Sequence, residues 1–231
     1  MSWFLLIFWL SMILTGTRTL AGIKRTRLTI ACALTASMLT QLWLLHLDGL
    51  LRLETALPLH LCGLFGILSI PMLWHTPRFL WEASVFLASP AALCTLLFPA
   101  VMSCSHPLLM KLAFTQLHVL VGLAPLFLHR TGKPLPTDPR RTLIIGNGYL
   151  LFVAAFNRAF QTNYLFLRSA PAGTPLAVLF ARGPLFYVCS LELLCMLIFT
   201  CLKSIFLTAG SRSSCSRYSR CTAPCTSRDR G

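Results

Sequence analysis

The sequence predicts an all-α fold, a polytopic transmembrane helical bundle. Three observations carry that prediction. Of 231 residues, 56% are hydrophobic and 11% charged, and mean hydropathy is +0.73, a balance foreign to soluble domains. The apolar residues fall in long blocks parted by short polar or basic gaps, as membrane-spanning helices require. The basic residues gather in alternate gaps, as orientation in a bilayer demands.

Seven apolar blocks follow in order. Ser2–Thr15 is short against the ~20 helical residues that cross a ~30 Å hydrocarbon core. It is either a first span, extended into Gly16–Leu20, or an interfacial helix that leaves six spans. Its charges follow the apolar run and no small-x-small site ends it, so it does not read as a cleaved signal peptide. Leu28–Leu47 and Pro58–His75 form the second and third blocks. Gly63 and Gly66 in the third suit close helix approach. Ala83–Met102 holds Pro90 and Leu112–His129 holds Pro125; membrane helices tolerate proline, usually with a kink. Leu143–Phe160 and Pro184–Leu207 complete the set.

Charge orients the bundle. Arg18, Lys24, Arg25 and Arg27 fill the first gap, and Arg130, Lys133, Arg140 and Arg141 another. Arg212, Arg217, Arg220, Arg228 and Arg230 lie in the tail. Seven spans with the N-terminus outside place all three groups, and the C-terminus, in the cytoplasm. Residues 1–208 are thus read as the bundle. Residues 209–231, rich in Ser, Arg and Cys, cannot bury a core and are read as a disordered basic tail. Such a tail is either solvated near anionic headgroups or a non-native end from a shifted reading frame. The net charge of +14 is explained by orientation, so no nucleic-acid partner is expected. Most of the ten cysteines lie within apolar blocks and behave there as small hydrophobes. No zinc-type CxxC spacing occurs, and no cofactor is expected.

Ionisable and polar groups in hydrocarbon are costly and mark either function or interhelical bonding. Counted from the assumed outer ends at 1.5 Å per residue, Cys62, His118, Asn157, Arg158 and Glu192 reach similar depth on four segments. A thiol needs a base to become a nucleophile. His60 is a poor one for Cys62, since residues two apart on a helix point apart. His118, from another block, is the better candidate. The bland readings stand beside these: Cys62 as a small packing residue, His118 in an interhelical bond, and His60 in an interfacial bond. Arg158 and Glu192 read either as an ion pair or as holders of a headgroup or carboxylate.

These residues carry a resemblance. LPLHLC (Leu57–Cys62), His118, TNYLFL (Thr162–Leu167) and GPLFYVCSLELL (Gly183–Leu194) resemble the YwaF-like family of bacterial integral membrane proteins. The likeness runs from about Thr29 to Leu207. That family is similar to a eukaryotic transmembrane acyltransferase that remodels ether phospholipids, whose matching cysteine is implicated as acyl acceptor. The stretch TPLAVLFARGP lacks an aspartate often found in the family, and Leu185 and Phe186 stand where it usually has tryptophans. The resemblance implies a multi-pass protein of the bacterial inner membrane and a lipid acyltransferase with Cys62 as nucleophile and His118 as base. His60, Arg158, Asn163 and Glu192 are the substrate-holding residues expected around them. Membrane lipids are the expected partners; the sequence names no protein partner. The alternatives are a non-enzymatic bundle, transporting or binding, and a redox or metal protein.

Overall fold

A computed structural model describes residues 2–171 and 173–221, with side chains given from Trp3 to Thr208 apart from residue 172. The described secondary structure is helical throughout. In chain order the helices are α1 (Ser2–Gly16), α2 (Leu20–Leu47), α3 (Leu53–Ala56), α4 (Leu61–Met72) and α5 (Arg78–Ala83). A π segment (Ser84–Ala88) joins α5 to α6 (Ser89–Leu97). Then come α7 (Pro107–Arg130), α8 (Arg140–Phe160), a 3-10 turn (Tyr164–Phe166), α9 (Pro175–Phe180) and α10 (Pro184–Cys221).

Each of the seven apolar blocks contains a helix, as expected for a helical membrane bundle. The helices α2, Arg78–Leu97, α7, α8 and Pro184–Thr208 of α10 are long and apolar enough to cross a membrane. The other two are shorter, 15 residues in α1 and 12 in α4. The extension of the first block stops at Gly16, and α2 restarts at Leu20 behind the Thr19 cap, whose hydroxyl accepts the Gly22 amide at 3.0 Å. Helical backbone runs past residue 208 to Cys221. Residues 222–231 of the expected tail lie outside the described residues.

Both expected proline sites have a structural outcome. Pro90 opens α6 directly after the π segment, where its ring and missing N–H disturb the helical ladder least. Around Pro125, α7 stays one helix. The Ser89 hydroxyl, one turn earlier across the interface, donates to the Gly122 carbonyl at 3.1 Å.

The centre of the bundle is α7, which packs on α1, α2, α4 and α6. Of its most apolar window 61% is buried, against 11% for α8 and for α10, which lie at the edge. Lipid tails are as apolar as leucine, so contact and hydrogen bonding hold such helices together, rather than escape from water. Gln116 of α7 supplies one such bond, donating to Ser37 Oγ of α2 at 3.0 Å. Gly66 supplies close contact: a Cβ there would meet Leu117 Cδ1 at 2.9 Å and Met38 Sδ at 3.1 Å. It lets α4 lie directly on α7 and α2.

The two ends of the bundle differ. At one end Arg130 Nε donates to Thr17 Oγ1 at 3.3 Å and Trp81 Nε1 to the Pro134 carbonyl at 2.9 Å. There Glu82, 4% exposed, takes Arg78 Nε at 2.8 Å, with Arg141 Nε at 3.9 Å from its other oxygen. The expected cytoplasmic gaps meet at this end. At the opposite end the Ser105 amide donates to Asp48 Oδ2 at 2.8 Å, and the candidate site lies there.

Candidate functional site

The third block is not a continuous membrane-length helix. Its first residues are extended: Leu57 has φ −79° and ψ 139°, and His60 has φ −74° and ψ 141°. Helical rise therefore does not measure the depth of Cys62 from Pro58. Extended backbone at this depth survives only where protein groups satisfy it. Two tyrosines do so. Tyr149 OH donates to the Leu59 carbonyl at 2.8 Å. Tyr164 OH donates to the Leu53 carbonyl at 2.5 Å and accepts the Leu57 amide at 3.2 Å. The sequence marks Tyr164 only as part of TNYLFL and does not mark Tyr149, since phenol chemistry gives no signal until the backbone it serves is known.

The half helix α4 begins at Leu61, which puts Cys62 in its first turn, 7% exposed. The amides of Leu61, Cys62 and Gly63 have no hydrogen-bond acceptor among the described residues; the first such bond runs from Leu64 N–H to the His60 carbonyl at 2.9 Å. Unpaired amides and the helix dipole favour negative charge at this tip. Gly63 packs on Pro58, whose Cα would lie 3.3 Å from an added Cβ.

His60 is the N-cap of α4, not a residue within it, so the argument that helix geometry separates it from Cys62 does not apply. Its ring is engaged elsewhere. It lies 5.2 Å from the Tyr164 ring and 5.1 Å from that of Phe166, and Nδ1 accepts the Leu165 amide at 3.4 Å.

His118 is 6% exposed on α7. Its Nδ1 lies 2.7 Å from the Phe114 carbonyl. A carbonyl only accepts, so Nδ1 carries a proton, and in the neutral ring Nε2 is then the nitrogen with the lone pair. Nε2 has no hydrogen-bond partner among the described residues. The bond to Phe114 folds the ring back by one turn, toward the helix start. Gly66 faces Leu117, and Cys62 lies about 6 Å, one turn, back along α4 from Gly66. The thiol and the folded-back imidazole thus come from helices in direct contact, and His60 is within electrostatic reach of His118. No hydrogen bond joins Cys62 to His118. The thiol faces Thr95 of α6, whose hydroxyl donates to the Ala91 carbonyl at 2.9 Å.

The remaining expected residues divide. Arg158 and Glu192 form no ion pair; Glu192 Oε2 instead accepts from Asn147 at 3.4 Å. Asn163 ties its own turn, its Oδ1 accepting the amides of Arg168 at 2.9 Å and Ser169 at 3.1 Å. Asn157, 1% exposed, is the organiser of that turn. It donates to the Tyr164 carbonyl and accepts the Tyr164 amide and the Thr162 hydroxyl, each at 2.8 Å. The turn it holds contains three non-glycine residues at positive φ: Gln161 (56°), Leu165 (57°) and Phe166 (56°). Such conformations cost roughly 1–3 kcal/mol each and cluster at functional sites. Glu82, left in a gap by the sequence reading, was findable from its spacing of four to Arg78.

The described cysteines Cys32, Cys62, Cys94, Cys104, Cys189, Cys195 and Cys201 are all free thiols. Among the described residues no three His, Cys, Asp or Glu side chains gather as metal ligands would. No curated protein and no solved structure matches the chain. The sequence profile of the TMEM164 family matches residues 1–203. That match carries a transmembrane protein family, and neither the YwaF-like name nor a bacterial source. The chain belongs to the TMEM164 family.

Proposed function

We propose that this membrane protein transfers acyl groups between lipids, with Cys62 as nucleophile and His118 as base. Supporting this reading are two features carried by helices that pack together at Gly66. One is a cysteine in the first turn of a half helix with three unpaired amides. The other is a histidine whose Nδ1 is bound to the Phe114 carbonyl, which makes Nε2 the basic nitrogen of its neutral ring. Broken membrane helices commonly aim such tips at anionic groups.

The chemistry balances without a cofactor. Cys62 Sγ attacks the acyl carbonyl of a donor lipid ester as its proton passes to His118 Nε2. The oxyanion that forms is met by the amides at the α4 tip. His118 returns the proton to the leaving alkoxide as the carbon–oxygen bond breaks, which leaves a thioester on Cys62. An acceptor lipid hydroxyl then reverses these steps, giving its proton to His118 and displacing the thiolate. A side-chain shift must close the gap between Sγ and Nε2, which are not hydrogen-bonded at rest. The basic end of the bundle faces the cytoplasm in this reading, by the positive-inside rule.

The test is purified protein in lipid nanodiscs given a phospholipid with a labelled acyl chain. Wild type should acquire hydroxylamine-labile label on Cys62. Cys62→Ser and Cys62→Ala should lose that label, and His118→Ala should form it at least tenfold more slowly. Equal labelling in all four proteins overturns the proposal. The missing Cys62–His118 hydrogen bond favours a second reading, a non-enzymatic lipid-binding bundle in which Cys62 packs against Thr95. Lipid binding with no label on Cys62 in wild type would select it.

A further inference from the structure

We propose that the cleft where α8 ends is a phosphate-binding subsite, clamped by Arg158 and Arg168. The cleft measures about 260 Å³ and is lined by Ala154, Arg158, Gln161 and Arg168, room for about eight water volumes. No acidic side chain lines it, and neither arginine belongs to an ion pair among the described residues. Two uncompensated guanidiniums facing one cleft repel each other unless an anion lies between them.

The two arginines are prepared differently. Arg168 is set in place: Nη2 donates to Gln161 Oε1 at 2.6 Å, and Nη1 to the carbonyls of Asn157 and Thr162 at 3.4 Å each. Nε and one Nη2 hydrogen stay free, two of its five donors. The Arg158 side chain makes no hydrogen bond among the described residues; only its carbonyl is used, by Gln161 Nε2 at 2.9 Å. One fixed and one free guanidinium make a clamp that closes on its ligand. Paired forks of this kind match phosphate oxygens.

Position narrows the chemistry further. Arg158 lies two residues, about 3 Å, from the end of α8, at the level where long basic side chains reach lipid phosphates. The helix is at the edge of the bundle, so lipid approaches the cleft from the side. Asn157 joins the cleft to the candidate active site: its carbonyl serves Arg168, and its side chain holds the Tyr164 turn against His60. The subsite rests on the acyl-transfer reading for its purpose, since it would anchor the headgroup of the reacting lipid beside Cys62. Its existence is tested separately.

The experiment measures binding by full-length Cys62→Ala protein in phosphate-free detergent, followed by thermal stabilisation. The probes are dihexanoyl phosphatidylcholine, dihexanoylglycerol and inorganic phosphate. The phospholipid should bind at least tenfold tighter than its phosphate-free counterpart. Arg158→Gln, exposed and free of internal bonds, should fold normally, lose that tenfold preference and keep its affinity for dihexanoylglycerol. Arg158→Lys should recover part of it. Unaltered phospholipid binding in Arg158→Gln, or equal affinity for both lipids in the parent protein, overturns the proposal. Competition by inorganic phosphate in the phospholipid's own concentration range names a free anion as ligand; absence of competition names the headgroup; both uphold the anion site. Phosphate-dependent binding without acyl labelling of the Cys62-containing protein keeps this subsite and refutes acyl transfer. Acyl labelling without phosphate dependence does the reverse.

Discussion

Replacing Asn157 with alanine should open the turn over the candidate active site without unfolding the bundle. The side chain makes three hydrogen bonds of 2.8 Å in a buried setting. Neutral bonds contribute about 1 kcal/mol each net, so their loss removes about 3 kcal/mol. Against this hold stand Leu165 and Phe166, both left-handed, which store roughly 1–3 kcal/mol each. The two quantities are comparable, so the turn is balanced on Asn157 and should leave when it goes. His60 then loses the Leu165 amide and the Tyr164 and Phe166 rings, and the tip of α4 is uncovered. The assay is the rate of N-ethylmaleimide alkylation at Cys62, read on its own peptide by mass spectrometry. If reagent enters by opening of this turn, 3 kcal/mol corresponds to about 100-fold faster labelling. Tyr164→Phe, which spares all three Asn157 bonds but frees the Leu57 amide, should give a smaller rise, about tenfold. An unchanged Cys62 rate in folded Asn157→Ala protein would refute the coupling of turn to thiol.

Three other perturbations probe the frame around the site. Gly66→Val should drive branched carbons into Leu117 and Met38, cost about 1–3 kcal/mol, and lower the acylation rate of Cys62 more than the stability loss explains; thermal unfolding and labelling on the same sample check both. Glu82→Gln removes a buried carboxylate from Arg78 and Arg141, whose side chains are 73% and 49% exposed. Both can return to water, so the loss should be near 1 kcal/mol, well below that of a fully buried pair, as a thermal shift would show. Asp48 gives a pH dependence: the Ser105 hydroxyl and amide hold its carboxyl below the usual carboxylate range. A depressed folded value means the contribution is whole above the unfolded value, about 4, and fades as pH falls through the folded one. Hydrogen exchange at the Ser105 amide, corrected for intrinsic rate, should therefore accelerate in that acid range, and Asp48→Asn should abolish the pH dependence.

The helices were legible because lipid leaves few choices. A long apolar run must satisfy its own backbone, and helix is the local way to do so. Every block from Ser2 to Leu207 obeyed that rule, with errors at the ends. Helix α2 starts eight residues before Leu28, because polar and basic residues such as Arg25 and Arg27 are tolerated where a helix emerges into headgroups. Helix α7 begins at Pro107 rather than Leu112, since proline suits a first turn and Lys111 does not end one. The shift of the fourth block to Arg78–Leu97 has the same origin, with Glu82 buried under arginines rather than left in solvent.

The candidate site was harder to read, because it is built where those rules fail. Leu57–His60 is apolar enough to pass for helix, yet it is extended. The reason lies about a hundred residues away, in Tyr149 and Tyr164. A hydropathy pattern is local and cannot report a backbone satisfied by a distant phenol. Depth alone marked Asn157 but not its task, since its three bonds all return to the turn just after its own helix. Breaking the helix before Leu61 has a chemical consequence. A continuous helix would have paired the amides of Cys62 and Gly63 with carbonyls one turn back, and the thiol would have faced a neutral ladder. The break leaves those amides unpaired beside the thiol. The strained turn that enforces the break is held by Asn157, and Asn157 also serves the arginine cleft through Arg168. One residue thus links the proposed anion subsite, through its carbonyl, to the helix tip, through its side chain. A ligand that tightens the Arg168 end should stiffen the tip as well, so phospholipid binding should slow maleimide labelling of Cys62 in wild type and fail to do so in Arg158→Gln.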